Sequence, residues 1–357
     1  MNIYTTLETL KTYRDSDRLS QSFLKKILAN DTKPFKETVP VLIGSYLDCL
    51  LTSPHLKDDL FIEDLNKRPS ENIRGFLNTL LEILVSTDSV SNLGELKDYK
   101  EVLISIVRGS GYQPKWGDDA LWNSIEKDGA EYWEFMLKAE GRSIITYEEK
   151  VKCENLAALT LSHELTGKYF IDQPNVDKYY QWAIYWNEGE VLCKGLADLV
   201  IIEEETKTIY LIDLKSTGVN TIEEWFKICR QKMYPFQMSF YLKGILNNFS
   251  PLIDEGYKIL CRWVVIPTNG DKFTPFVVNC GESLLEVGQY GYQEEKYFIN
   301  PSNHETNFYH KNTYGWWEAI QRYKHFTSKG ILDYNMLYDQ TQGRIDENKA
   351  ENLFFTN

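Results

Sequence analysis

The chain has 357 residues, 43% hydrophobic and 25% charged, enough for a substantial buried core and too apolar for wholesale disorder. Its 52 acidic and 39 basic residues leave a net charge of −13. That balance disfavours a nonspecific nucleic-acid coat protein, yet it permits a carboxylate metal site beside a local basic channel. The start, MNIYTTLETLKTYRDSDR, is polar without a signal-peptide core, and no apolar run nears the ~20 residues that span a bilayer. A soluble, cytoplasmic protein with no membrane association is expected. Six cysteines (Cys49, Cys153, Cys193, Cys229, Cys261, Cys280) lack any C-x-x-C spacing, which argues for reduced thiols and against a zinc ribbon or iron–sulfur cluster.

Residues 1–150 read as mostly helical. Ser20 is placed to cap a helix over 21–28. A second helix fits 39–51, where Ile43, Leu47, Leu50 and Leu51 recur at helical spacing and Pro54 follows as a stop. Further helices fit 70–86, 95–108 and 118–139, the last with Tyr132, Trp133 and Phe135 as core aromatics. A helix over 146–167 opens on Thr146 with Glu149 three residues on, a capping-box pattern. Between the fourth and fifth of these helices lies a Gly-rich loop, 109–117. Packing is the preferred role for its Tyr112 and Trp116, with stacking on a displaced base as the alternative.

The pattern changes near 178. Segments 179–186, 191–202 and 208–214 are rich in aromatic and β-branched residues and read as three successive antiparallel strands. A helical stretch follows over 222–248, kinked or divided by Pro235. Strands fit 259–267 and 273–279, helices 282–298 and 313–326, and the tail beyond 340 reads as loose. The order implies an α/β fold: a central mixed sheet flanked by helices, with a helical N-terminal region.

The chemistry concentrates in the hairpin 193–217. A turn centred between Glu205 and Thr206 gives partners whose numbers sum to 411, which sets Asp198 opposite Asp213. Lys215, two residues on, shares their face. Carboxylates about 5 Å apart repel by roughly 3 kcal/mol at an effective dielectric near 20. A shared proton or a bound cation must offset that. Oxygen ligands of this kind suit Mg2+, or Mn2+, and the Leu214 carbonyl is a further candidate ligand. Lys215 would orient or help deprotonate a metal-bound water and offset charge in the transition state. A bare Asp-x-Lys is commonly a surface ion pair. Here Asp213 ends the apolar run Ile209-Tyr-Leu-Ile212, where an unpaired charge is costly.

Three ordered motifs carry a family likeness: Gly195-x-x-Asp198, Asp213-x-Lys215 followed by Ser216-Thr217, and Tyr234-x-x-Gln237-x-x-x-Tyr241. Together they resemble the PD-(D/E)xK nucleases, closest to the phage and RecB-like branch with exodeoxyribonuclease VIII and lambda-type exonuclease. The likeness covers roughly 18–54 and 178–300. It implies a restriction-endonuclease-like core over 146–300, a helical region 1–145 lending it one core helix (about 37–53), and a C-terminal helical extension with a loose tail over 301–357. It implies a Mg2+-dependent exonuclease in DNA recombination, repair or phage replication, in a bacterial or phage-infected cell. Asp198 and Asp213 would hold metal, with the Gln237 and Tyr241 helix beside the site. DNA is the implied partner, along with a single-strand annealing or recombination protein and a homo-oligomeric ring.

Ile43 to Pro54 resembles the family's N-terminal helix, but Asp48 stands where histidine is common. It is expected to supply a third carboxylate ligand, with Gly44 on the same face permitting close approach to the sheet. Lys227, Arg230 and Lys232 on the helix after Asp213 are candidate DNA phosphate contacts, or a solvated face. Two other readings stay open: a noncatalytic DNA-binding or interaction module on a nuclease-like fold, and a site-specific endonuclease.

Overall fold

The computed structural model describes residues 1–29, 38–86, 93–139, 141–269, 274–299 and 306–328. The chain divides into two units. One comprises Met1–Pro54 with Asn155–Asn357, the other His55–Glu154. The expected helical region 1–145 is therefore not one piece, because its first 54 residues belong with the sheet.

The sheet-bearing unit begins with β1 (Asn2–Tyr4), α1 (Leu7–Asp15), α2 (Gln21–Ala29) and α3 (Val39–Thr52). Ser20 accepts a hydrogen bond from the Phe23 N–H at 3.3 Å, so it caps α2 as its side chain predicts. Pro40 lies in the first turn of α3, where its missing N–H costs nothing, and the helix stops just before Pro54.

The inserted unit follows: α4 (Lys57–Leu60), β2 (Phe61–Glu63), α5 (Glu71–Ser86), α6 (Lys100–Gly109), α7 (Asp118–Ala139), β3 (Ser143–Ile145) and the first half of α8 (Tyr147–Ser162). Its core joins Leu77, Leu80, Leu103, Val107, Ile125 and Trp133. The α8 start is a reciprocal capping box. Thr146 Oγ1 accepts from Glu149 N at 3.2 Å, and Glu149 Oε2 accepts from Thr146 N at 3.0 Å. Tyr112 packs edge-on to Phe76, with ring centroids 5.4 Å apart, and is part of the core. Trp116 stays 42% exposed.

Beyond α9 (Glu164–Gly167) come β4 (Val176–Glu188), β5 (Val191–Glu203) and β6 (Thr208–Thr217). The remainder is α10 (Ile222–Gln231), α11 (Tyr234–Asn248), α12 (Ser250–Asp254), β7 (Lys258–Pro267), β8 (Phe276–Asn279), α13 (Glu282–Tyr290), β9 (Gly291–Ile299), β10 (Thr306–Tyr314) and α14 (Trp316–Ser328). Six strands form one sheet in the order β1-β4-β5-β6-β7-β8. It is mixed: β1 runs parallel to β4 and β6 parallel to β7, and the other pairs are antiparallel. With helices packed on it, the unit is α/β.

Two expectations are corrected. The helix over 282–298 ends at Tyr290, where Gly291 takes φ +81, and the chain turns into β9, paired with β10 in a separate hairpin. The segment 313–326 likewise begins as strand and is helical only from Trp316. The break between α10 and α11 falls at Met233, in left-handed conformation, and Pro235 sits harmlessly in the first turn of α11. Expectations for the tail after 340 lie outside the described residues. Among the described residues, no helix is long and apolar enough to cross a membrane.

What positions α3 on the sheet is Gly44. A Cβ there would come within 2.8 Å of Ser216 Oγ on β6, so the missing side chain eases the close approach of the helix to the sheet. Gly44→Leu is expected to push α3 outward and destabilise the protein by about 1–3 kcal/mol. A thermal melt in EDTA checks this.

Candidate active site

The β5–β6 ladder runs from Glu203–Thr208 to Leu199–Ile212, in the register that the Glu205–Thr206 turn predicts. There it stops. The next pair is Asp198 and Asp213. Instead of a ladder bond, Asp198 Oδ2 accepts the Leu214 N–H at 2.7 Å. On the other side of β5, the β4 ladder pairs Tyr180 with Leu199 and Trp182 with Ala197, but leaves out Gln181 and Asp198 between them. Gln181 has φ +46, left-handed backbone inside a strand. The sheet is thus loosened on both sides of Asp198.

Asp213 is 1% exposed on the central strand β6. Its Oδ1 accepts from Gln237 Nε2 at 3.0 Å. Its Oδ2 forms an ion pair with Lys215 Nζ but has no aligned hydrogen bond among the described residues. The Lys215 ammonium also reaches the Leu214 carbonyl at 3.3 Å and lies over the Tyr234 ring, 4.9 Å from its centroid. Burial opposes its charge, but Asp213 and Asp198 more than compensate and hold its pKa above the usual lysine value. Lys215 is therefore a fixed cation.

Gln237 Nε2 also reaches Tyr241 Oη at 3.4 Å, one turn along α11. Tyr241 packs against the β5 backbone because residue 195 is glycine: a Cβ there would stand 2.9 Å from the ring. Burial raises the Tyr241 pKa well above the usual value, so it is a neutral phenol.

Asp48 enters from α3. Gln181 Nε2 donates to its Oδ2 at 2.5 Å and reaches Thr52 Oγ1 at 3.3 Å. Thr52 in turn donates to the Asp48 main-chain carbonyl at 2.7 Å. Burial, opposed by Lys215 and reinforced by Asp213, pushes the Asp48 pKa up to about 7. Asp198 is raised well above the usual carboxylate range by burial, then by Asp48 and Asp213. The three carboxylates sense one another, and one lysine answers them.

The structure thus brings together Asp48, Asp198, Asp213, Leu214, Lys215, Gln237 and Tyr241. It does not bring in Lys227, Arg230 or Lys232, which are exposed on α10 and just after it, with no side-chain hydrogen bond or ion pair to the site among the described residues. A cation that the sequence reading missed is Lys25 on α2. Its Nζ donates to the Lys232 carbonyl at 3.0 Å and lies 5.7 Å from the centroid of the Phe236 ring. Burial, then repulsion from Lys215, lowers its pKa to about 7. Gln181 and Thr52 were missed as well. Thr52 is readable as the residue four past Asp48. Gln181 follows only once the Gly189 turn fixes the β4–β5 register.

Three carboxylates and the Leu214 carbonyl make an all-oxygen donor set, the chemistry that suits a hard divalent cation. The buried Asp213 Oδ2, without an aligned donor, fits the same role. Among the described residues, however, no three His, Cys, Asp or Glu side chains are gathered closely enough to hold an ion. Asp48 Oδ2 is engaged by Gln181, and Asp213 by Gln237 and Lys215. The donor types fit a cation. No protein-family model matches the chain, and no curated protein matches it in sequence.

The pKa shifts fix a pH dependence. In the native state Asp48 titrates near 7 against the usual 3.8. Between those values the folded chain binds the extra proton, so this contribution to stability falls as pH rises through that window. Lys25 has the opposite sign. Lowered to about 7 from 10.5, it makes stability rise between those values. In EDTA, Asp48→Asn should flatten the loss between pH 4 and about 7, and Lys25→Met the gain above about 7. Melting temperatures across pH check both.

Proposed function

We propose that this chain is a metal-dependent DNA nuclease of the PD-(D/E)xK type. The observation that carries the reading is the convergence of three sequence-distant motifs on one buried carboxylate. Asp213 faces Asp198 at the end of the ladder, pairs with Lys215 and accepts from Gln237. An ordinary acidic hairpin has no reason to bury Asp213 in such company, because the burial itself is costly.

Asp48, Asp198, Asp213 and the Leu214 carbonyl would hold Mg2+, or Mn2+. Such an ion, when bound, polarises a phosphoryl oxygen and makes a bound water more acidic. The chain's own groups do the rest. Lys215, kept protonated by Asp213 and Asp198, presents a positive charge to the pentavalent phosphorus as negative charge builds on its oxygens. As an ammonium it stabilises and orients, while the attacking water would give its proton to bulk water, which in turn would protonate the leaving oxygen. Gln237 fixes the rotamer of Asp213, and Tyr241 supports Gln237 from the next turn. Leu214 N–H holds Asp198 against its neighbours' repulsion. Lys25, also near this cluster, has its charge weakened by burial and by Lys215, and a DNA phosphate beside it would favour the charged form.

Linear and covalently closed duplex DNA, each with Mg2+, Mn2+ or EDTA, test the reading. Linear DNA is expected to be degraded from its ends in Mg2+ and spared in EDTA. Rapid nicking of closed circles would make the enzyme an endonuclease, and binding without cleavage would make it a noncatalytic module. Asp213→Asn and Lys215→Ala should each cut the rate by about a hundredfold or more while leaving the fold intact. Activity near wild type in either variant overturns the assignment.

A further inference from the structure

Gln181 is left-handed in the middle of a thirteen-residue strand. The β4–β5 register is the same on both sides of it, so no residue is inserted and the distortion is local to this position. Left-handed backbone at a residue with a Cβ is disfavoured and persists only where its surroundings hold it. What Gln181 gains is visible in its side chain. Its Nε2 donates to Asp48 Oδ2 at 2.5 Å and reaches Thr52 Oγ1 at 3.3 Å, across 133 and 129 residues of sequence. The register also sets Gln181 opposite Asp198, at the position the ladder skips. Thr52 is fully buried and Gln181 nearly so.

We propose that Gln181 is a positioning residue of the cation site, and that the distorted strand aims its amide at Asp48 so that this carboxylate faces the Asp198–Asp213 pair. The assignment rests on the reading of the carboxylates as a divalent-cation site. A neutral amide suits the task. It can donate to a ligand carboxylate without adding a competing positive charge, whereas a lysine there would repel the metal. Where the sequence places aspartate in the helix, this glutamine supplies its orienting partner.

The test is Mn2+ binding to the full chain by calorimetry, without DNA. Gln181→Gly accepts left-handed backbone but has no amide. Gln181→Met keeps the side-chain length and loses the donor. Far-UV circular dichroism identifies the folded variants. Each is expected to raise the Mn2+ dissociation constant about tenfold or more, as losses of partners to ligand groups do. In the nuclease assay, activity lost at limiting Mn2+ should return when Mn2+ is in excess. If the dissociation constant is unchanged in the folded variants, Gln181 only shapes the strand and the assignment is overturned, whether or not the wild type cleaves DNA. If the wild type binds Mn2+ in a Gln181-dependent way but cleaves no DNA, the assignment stands and the nuclease reading falls. A wild-type chain that binds no Mn2+ overturns both.

Discussion

At Asp198 a β-strand in the interior of a sheet gives up its ladder, and a carboxylate takes over one of the freed amides. Backbone N–H groups in a sheet must be satisfied, and the sheet itself normally does this. Here the Leu214 N–H is satisfied by Asp198 Oδ2. That exchange sets the depth at which Asp198 sits, leaves Asp213 facing it, and leaves the Leu214 carbonyl beside the Lys215 ammonium. Around the same opening lie the distorted Gln181, the glycine under Tyr241, and the glycine of α3 that faces Ser216 on β6.

The charges in this opening do not balance. Three carboxylates share a space with Lys215, and Lys25 is pushed toward its neutral form by burial and by Lys215 itself. Hydrogen bonds from Gln181, Gln237 and the Leu214 amide soften the repulsion but carry no full charge. A folded protein that tolerates such an arrangement forgoes stability at this place, as functional sites commonly do. Its surroundings are correspondingly firm: Leu199, Leu211, Ile212, Trp263 and Val264 are fully buried around the strand ends.

Much of this was legible because it rests on periodicity and short-range chemistry. The β5–β6 register follows from one turn, Thr146 and Glu149 announce their capping box, and the alternation of aromatic and β-branched residues marks β4 to β6. Less was legible where backbone conformation, not side-chain pattern, decides. Met233 and Gln181 adopt left-handed conformations that nothing in their residue type advertises, so the sequence alone points to Pro235 as the helix break and to a regular strand through Gln181. Gly291 ended a helix that its apolar pattern continued. The basic residues 227, 230 and 232 are visible in the sequence because they cluster, whereas Lys25 is distant in sequence and only packing brings it near the site.

Asp48 and its partner Gln181 lie on opposite sides, in sequence, of the inserted unit His55–Glu154. During synthesis α3 is therefore complete long before the strands it packs on, and its apolar face, with Leu42, Ile43, Tyr46 and Leu47, must wait for them. Closing so long a loop as an open coil is slow. The inserted unit has its own hydrophobic core and can collapse by itself, shortening that loop before the sheet arrives. A substitution in the core of the insert would therefore lengthen the effective loop between α3 and the strands that receive it.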